Sequence, residues 1–195
     1  MRTQLMGGQY LDLLESARGW DGLDTAARVA SARNVIRFKS AKYTIEHPLL
    51  IGAAAGGVAA STLGPLSRYG LALGEAFQLR DDLLGVFGDP AATGKPAGDD
   101  LREGKRTALV ALAIERATES QAALVRRLLG DPALDLAGVE ALQTVLVDTR
   151  AVDRVEDLIT DRTAQALASL DDTAVTPEAV TVLRELAVAA TARAH

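Results

Sequence analysis

The chain has 195 residues, a formal net charge of −5 and no cysteine. The lack of cysteine excludes disulfide bonds and thiolate zinc sites, and the two histidines, His47 and His195, cannot form a metal cluster by themselves. A nucleic-acid surface would need a basic patch, whereas charges of both signs are scattered along this acidic chain. We therefore expect no nucleic-acid partner.

The composition predicts an all-α fold. Ala, Leu, Arg and Glu, which favour helices, are abundant, and only 4% of the residues are aromatic. We expect one domain over residues 1–195, because a chain of this length can bury a core of its own. In chain order, helices are predicted near residues 3–16, 25–39, 48–60, 65–87, 107–129, 138–149, 152–170 and 177–192.

The first third of the chain contains no predicted membrane segment. Arg2, Thr3 and Gln4 do not form the apolar core of a signal peptide, so we expect a cytoplasmic protein. Residues 49–66 are uncharged, but Gly, Ala, Ser, Thr and Pro dilute their apolar character. They predict a buried helix that ends near Ser61.

Several helix ends have a predicted cause. Asp24 is expected to cap the second helix, and Pro65 and Pro177 are expected in first turns, where the missing N–H is tolerated. Asp89 and Pro90 should stop the helix before them, because proline cannot continue a helix.

Asp81 and Asp82 are adjacent acids on the helix predicted at residues 65–87. Mg²⁺ prefers oxygen ligands and is usually held by one or two carboxylates together with phosphate oxygens of a substrate. Neighbouring carboxylates repel each other, and a cation against both of them removes that cost. The alternative is a solvated acidic turn, because acids are common on helix surfaces.

A loop rich in glycine and cations follows these acids. Its glycines permit close approach of the backbone to an anion, and lysine ammonium groups neutralise phosphate as point charges. The residues concerned are Gly94, Lys95, Pro96, Gly98, Arg102, Gly104, Lys105 and Arg106. Together with the acid pair, they predict a magnesium diphosphate site within residues 74–107.

This segment resembles the second half of the all-trans isoprenyl diphosphate synthases, the polyprenyl synthetase family. Phe77 and Gln78 followed by the acid pair resemble the second aspartate-rich motif of that family, and residues 94–107 resemble its next diphosphate-binding stretch. Residues 8–12 (GQYLD) resemble its GQ-x-x-D element. Residues 38–44 (FKSAKYT) resemble its Lys-Thr element, with Ser40 in place of the usual threonine. The resemblance extends over residues 6–112.

The resemblance implies a partial helical bundle of the isoprenoid synthase type and a prenyltransferase that joins an allylic diphosphate to isopentenyl diphosphate. It implies that Asp81 and Asp82 bind Mg²⁺. Lys39, Lys95 and Lys105 would bind the leaving diphosphate, and Gln78 would contact the substrate or orient a ligand.

Further substrate-binding residues follow from the same resemblance, and they are Gln9, Asp12, Lys42, Tyr43, Phe77 and Asp100. Asp100 would act as the partner of a lysine. Lys42 follows Lys39 at i,i+3, so both ammonium groups can face one anion, although a solvated lysine pair is the alternative. Phe77, Tyr43 and Gln9 are expected on the hydrocarbon side, with plain core packing as the alternative for Phe77.

One departure from the family pattern is Gly85, where the fullest form of the second motif has a third aspartate. An interior glycine costs a helix about 1 kcal/mol relative to alanine. We expect Asp89, on the same predicted stripe as Asp81, to reach the metal directly or through water. This Asp81, Gly85, Asp89 ladder also resembles the ligand triad of class I terpene cyclases.

A larger departure is the first aspartate-rich motif, which the sequence lacks. Asp99–Asp100 belongs to the loop, and Asp171–Asp172 is expected to end a helix. The chain is therefore expected to be a fragment, a subunit or a degenerate relative, inactive alone and working as a homodimer or with a chain that carries the first motif. The alternatives are a non-catalytic diphosphate-binding or regulatory partner of a full-length synthase, and a terpene cyclase fragment.

Overall fold

The computed structural model describes residues 1–18, 20, 22–89, 94 and 96–192. The predicted all-α class is confirmed, because these residues form helices and no strand. None of the described helices combines the length and the apolar character needed to cross a membrane. The α-helices are α1 (Arg2–Arg18), α2 (Thr25–Ile36), α3 (His47–Ala55), α4 (Ala60–Phe87), α5 (Asp99–Arg102), α6 (Ala108–Arg116), α7 (Glu119–Leu128), α8 (Leu136–Asp148), α9 (Ala151–Ser169) and α10 (Pro177–Thr191).

The described residues divide into two compact units. The first contains residues 1–10, 34–80 and 157–192, and the second contains residues 11–33 and 81–156. The boundary therefore falls within α4, between Arg80 and Asp81. That the chain forms one domain stays a prediction.

A π-helix, Arg37–Glu46, connects α2 to α3 in the first unit. Its backbone is approached by helices that carry glycine at the point of contact. A Cβ atom added at Gly74 of α4 would lie 2.5 Å from the Cα atom of Ala41, and one at Gly70 would lie 2.7 Å from that of Glu46. A Cβ at Gly8 of α1 would lie 2.6 Å from the Cα of Lys39. These distances are well below the optimum of about 3.5–4.0 Å between carbon atoms, so the packing requires glycine.

The core of the first unit joins α4 to the two C-terminal helices. Tyr69 and Leu73 of α4 are buried with Ala166, Leu170 and Ala187. The hydroxyl of Tyr69 donates a hydrogen bond to the carbonyl oxygen of Leu183 over 2.6 Å. Burial raises the pKa of this hydroxyl to about 12, so it remains protonated and keeps donating at neutral pH.

The core of the second unit surrounds α6, in which six consecutive residues, 108–113, are buried. Helices α6, α7 and α8 contact one another. Helix α8 also reaches the end of α4, because the side-chain amide of Gln143 donates to the carbonyl oxygen of Val86 over 2.7 Å. The first six residues of α6 are therefore part of the core, whereas Glu115 and Arg116 at its end are exposed.

Some predicted boundaries are confirmed. Asp24 caps α2 by accepting a hydrogen bond from the backbone N–H of Ala27 over 2.7 Å. Pro177 occupies the first turn of α10, behind Thr176. The helix predicted at residues 107–129 is instead two helices, because the side chains of Thr118 and Gln121 form a capping box that begins α7.

Two predictions about residues 49–66 are wrong. Helix α3 ends at Ala55 and contains no buried residue, and Ile51 is 61% exposed. The apolar composition of residues 49–66 therefore did not predict burial correctly. Pro65 lies inside α4 and not in its first turn, because α4 begins five residues earlier, at Ala60.

Candidate functional site

Asp81 and Asp82 lie on α4, at the start of its part in the second unit. Asp82 is buried, with 7% of its surface exposed, whereas Asp81 is exposed. Buried carboxylates need partners or cations, because desolvation disfavours the charged form. That Asp81 and Asp82 hold Mg²⁺ together with water and phosphate oxygens stays a prediction.

Asp89 does not lie on the predicted stripe. Helix α4 ends at Phe87, so Asp89 is beyond the helix and the i, i+4, i+8 ladder with Asp81 and Gly85 is not formed. Within the described ranges, no group of three or more Asp, Glu or His residues has an arrangement that holds a metal. The pair Asp81–Asp82 remains the metal-binding prediction, and the terpene cyclase resemblance loses its geometric support.

Asp100 and Lys105 form an ion pair in the second unit, as the sequence predicted for Asp100. Asp100 is buried on the short helix α5, and the Lys105 ammonium group also lies 3.0 Å from the carboxylate of Glu103. The backbone N–H of Lys105 donates to the carbonyl oxygen of Asp100 over 3.0 Å. The lysine is therefore held both by its side chain and by its backbone.

The glycines around this pair adopt backbone conformations and make close contacts that favour glycine. Gly98 and Gly104 have φ angles of +73° and +68°, which favour glycine. A Cβ at Gly104 would lie 2.9 Å from the Cα of Gly130, whose own N–H donates to the carbonyl oxygen of Leu101 over 2.9 Å. These contacts hold the backbone of residues 98–105 in place.

The charges of the pair depend on each other. Burial raises the pKa of the Asp100 carboxyl, the Lys105 ammonium group opposes that effect, and the charge of Asp81 adds to it. Burial would lower the pKa of Lys105, but the bonds to Asp100 and Glu103 outweigh burial and raise it. Lys105 is therefore a permanent cation at neutral pH.

Two contacts around Lys105 were not predicted by the sequence analysis. Glu103 is its second carboxylate partner, and the only available signal was its spacing two residues before the lysine. Arg106 lies over the ring of Trp20, with its guanidinium carbon 5.6 Å from the ring centroid. No local pattern predicts this cation–π contact, because the two residues are far apart in sequence.

Lys39 and Lys42 lie on the π-helix of the first unit, where hydrogen bonds connect residues i and i+5. The prediction that both ammonium groups face one anion assumed α-helical spacing, so it loses that basis and stays untested. The ammonium group of Lys42 lies 2.9 Å from the Glu46 carboxylate, which also accepts a hydrogen bond from the Ser67 hydroxyl over 2.5 Å. Glu46 is a buried acid that the sequence analysis did not single out, although its i,i+4 spacing from Lys42 was visible.

An apolar cavity of about 790 Å³ lies in the first unit, beside the π-helix, α3, α4 and α10. Phe77 lines it, together with Tyr69 and Leu73. Tyr43 and Gln9, which were predicted for the same hydrocarbon side, are exposed and do not line it.

The remaining predicted residues are placed separately. Gln78 is half-buried on α4, and Asp12 is half-buried on α1 in the second unit. Lys95 lies outside the described residues. The roles of all three stay predictions.

Comparison with protein families gives a match to the model described as Polyprenyl synthetase over residues 1–146. The geranylfarnesyl diphosphate synthase of Aeropyrum pernix is 36% identical over 153 residues, which are 78% of this chain and 45% of that protein. The geranylgeranyl diphosphate synthase of Mycobacterium tuberculosis is 36% identical over 121 residues, which are 62% of this chain and 34% of that protein.

Solved structures agree with this match. A geranylgeranyl pyrophosphate synthase from Corynebacterium glutamicum, complexed with isoprenyl diphosphate and magnesium, is 44% identical with a TM-score of 0.91, covering 100% of this chain and 53% of that one. A polyprenyl synthase from Caulobacter crescentus, complexed with calcium and isoprenyl diphosphate, is 32% identical with a TM-score of 0.84. The match covers 98% of this chain and 56% of that one. The chain spans about half the length of these relatives.

The Glu46 cluster predicts a pH dependence of stability. Burial would raise the pKa of Glu46, but the Ser67 hydroxyl and the Lys42 ammonium group outweigh it and lower the pKa below the ordinary value of about 4.3. A lowered folded-state pKa stabilises the protein above the unfolded-state pKa, and this stabilisation is lost as the pH falls towards the folded-state pKa.

We therefore expect Glu46→Gln to lower the free energy of unfolding at pH 7 by about 1.5–3 kcal/mol, the range for hydrogen bonds to charged groups. The difference from wild type should shrink as the pH falls from about 5 to 3, because protonation removes the wild-type advantage. Urea denaturation at several pH values measures it. A difference that stays constant over this range would contradict the assignment.

Proposed function

Because the chain belongs to the polyprenyl synthetase family, we propose that it provides the pyrophosphate-binding part of a trans-prenyltransferase. The reaction condenses an allylic diphosphate with isopentenyl diphosphate. In this proposal Asp81 and Asp82 bind Mg²⁺, and Lys105 binds the pyrophosphate that leaves. Two relatives of known structure hold isoprenyl diphosphate with a divalent cation, which supports this choice of ligands.

The observation that carries the proposal is the fixed position of Lys105. Its ammonium group is held by Asp100 in a turn built on glycines, and 23% of the side chain stays exposed. Pairing a half-buried lysine with a buried carboxylate costs free energy, because both charges lose water. The arrangement is explained if a ligand with several negative charges binds at the exposed side of the ammonium group.

The chemistry assigned to the chain is stabilisation of negative charge. Held by Asp81 and Asp82, Mg²⁺ would supply positive charge to the departing pyrophosphate. Lys105 binds a phosphate oxygen without reorganising first, because Asp100 has already fixed it. The allylic C–O bond breaks, the double bond of isopentenyl diphosphate forms the new C–C bond, and the proton that is lost passes to pyrophosphate.

The proposal also gives roles to other residues predicted from the sequence. Lys39 and Lys95 are further cations for the leaving diphosphate, and Gln78 contacts the substrate or orients a ligand. Lys42 is proposed with them, and its ammonium group is held by the Glu46 carboxylate.

Other residues are proposed to contact the hydrocarbon part of the substrate. Phe77 is proposed for it, because it lines the apolar cavity. Gln9, Asp12 and Tyr43 keep their proposed substrate contacts on the motif resemblance alone.

The proposed partners are the two diphosphate substrates and a second polypeptide. The relatives are about twice as long as the chain, so a complete site is proposed to need a segment that carries the first aspartate-rich motif. The assembly would be a homodimer or a heteromer. A cytoplasmic location is part of the same proposal.

A second candidate function is a non-catalytic diphosphate-binding partner that regulates a full-length synthase. It is favoured by the lack of a three-carboxylate metal group in the part of the chain that the structure describes. Both candidates bind pyrophosphate, and they differ in whether Asp81 contributes to turnover.

We expect the wild-type chain to bind inorganic pyrophosphate in a Mg²⁺-dependent manner, and the double variant Asp81→Ala/Asp82→Ala to bind it about tenfold or more weakly. The physical reason is loss of the carboxylates that hold the ion. Isothermal titration calorimetry with and without Mg²⁺ measures both affinities.

The matched control is Asp171→Ala/Asp172→Ala, which removes another adjacent acid pair. Those acids are exposed and bind Arg184 and Arg68, each over 2.9 Å. The control should bind pyrophosphate as wild type does. Equal weakening by both double variants, or no Mg²⁺-dependent binding by wild type, would refute the proposed site.

We also expect no elongated product when the chain alone is incubated with Mg²⁺, farnesyl diphosphate and labelled isopentenyl diphosphate. Product should form when a polypeptide carrying the first aspartate-rich motif is added. If the chain shares catalysis, substituting Asp81→Ala should abolish that product, and if it only regulates, the product should be unchanged. Robust elongation by the chain alone would contradict the half-site proposal.

A further inference from the structure

Gly85 of α4 and Asp100 of α5 approach each other more closely than any other residue at position 85 would allow. A Cβ atom added at Gly85 would lie 2.5 Å from the carboxylate carbon of Asp100 and 3.1 Å from its Oδ1 atom. Both residues belong to the second unit. Because the optimum between non-bonded carbon atoms is about 3.5–4.0 Å, a side chain at position 85 would displace the carboxylate.

A displaced Asp100 cannot hold Lys105 in its present place. The Oδ1 atom of Asp100 accepts the hydrogen bond from the Lys105 ammonium group. The backbone that joins them is closed by the hydrogen bond from the Lys105 N–H to the Asp100 carbonyl oxygen and by the positive φ of Gly104. Because these contacts restrict the backbone of the turn, a shift of the Asp100 carboxylate should also move the Lys105 ammonium group.

The Asp100 carboxylate also lies near the face of α4 that carries Asp81. Gly85 follows Asp81 at i,i+4, which places both on one side of the helix. The charge of Asp81 raises the pKa of Asp100, which agrees with that proximity. Asp100 thus brings a carboxylate to this helix face from a different element.

We propose that Gly85 is a positioning residue, whose missing side chain seats the Asp100 carboxylate against α4 so that Asp100 can fix Lys105 for pyrophosphate. The carboxylate at this point of the helix is supplied by α5 and not by α4. The inference rests on the proposed function, since it names what sets the position of the diphosphate-binding lysine.

The inference makes an unexpected prediction about adding an acid. Gly85→Asp introduces a carboxylate one turn after Asp81, which by itself should favour Mg²⁺. If Gly85 is a positioning residue, the new side chain instead expels Asp100, releases Lys105 and weakens Mg²⁺-dependent binding of inorganic pyrophosphate by about tenfold or more. Gly85→Ala, which adds no charge, should weaken binding in the same direction.

The compensating variant is Gly85→Asp/Asp100→Ala, which removes the clash and leaves one carboxylate for Lys105. It should recover most of the affinity lost by Gly85→Asp. The charge control is Ala123→Asp, which adds the same charge at an exposed position of α7 and should bind pyrophosphate as wild type does.

The single tryptophan gives a readout that needs no metal or ligand. Trp20 is buried and stacks against Arg106, the neighbour of Lys105. Its emission should shift to longer wavelength in Gly85→Asp and return towards wild type in the double variant.

The outcomes separate the inference from the proposed function. Wild-type failure to bind pyrophosphate refutes the proposed function. The urea unfolding cycle of wild type, Gly85→Asp, Asp100→Ala and Gly85→Asp/Asp100→Ala still decides the inference. Strong non-additivity, with the double variant more stable than Gly85→Asp, supports it. Additive unfolding energies, or tighter pyrophosphate binding by Gly85→Asp, would overturn it.

Discussion

The ion pair between buried Asp100 and half-buried Lys105 is the interaction on which the proposed site depends. It turns a flexible side chain into a cation of fixed position, and it keeps that cation charged at neutral pH. In our proposal the pair depends on Gly85, because a Cβ atom at that position would meet the Asp100 carboxylate. The missing side chain of Gly85 on α4 thus determines where the Lys105 ammonium group lies.

Close approach at glycine residues also positions the π-helix of the first unit. Gly70 and Gly74 of α4 and Gly8 of α1 let backbone approach backbone, so the segment that carries Lys39 is held by packing. Glycine costs each of these helices intrinsic stability, about 1 kcal/mol relative to alanine. Close packing next to predicted ligand-binding residues offsets that cost.

The sequence predicted the fold class, most helices and the Asp100–lysine partnership, because helix propensity, caps and short motifs are local signals. It did not predict the π-helix, since a change of hydrogen-bond spacing has no simple pattern, or the exposure of α3, since apolar composition does not say what covers a helix. Gly85 was read as a lost ligand, because the carboxylate that fills its space comes from fifteen positions further along the chain. Asp89 was placed on a helix that ends before it.

The central claim is that the acid pair on α4 binds the metal and that Lys105 binds the pyrophosphate. Crystals of the chain grown with Mn²⁺, as a substitute for Mg²⁺, and inorganic pyrophosphate test it through the anomalous scattering of manganese. The account predicts an anomalous peak within bonding distance of Asp81 or Asp82, with a pyrophosphate oxygen hydrogen-bonded to Lys105. Manganese bound away from both acids, or pyrophosphate without contact to Lys105, would contradict it.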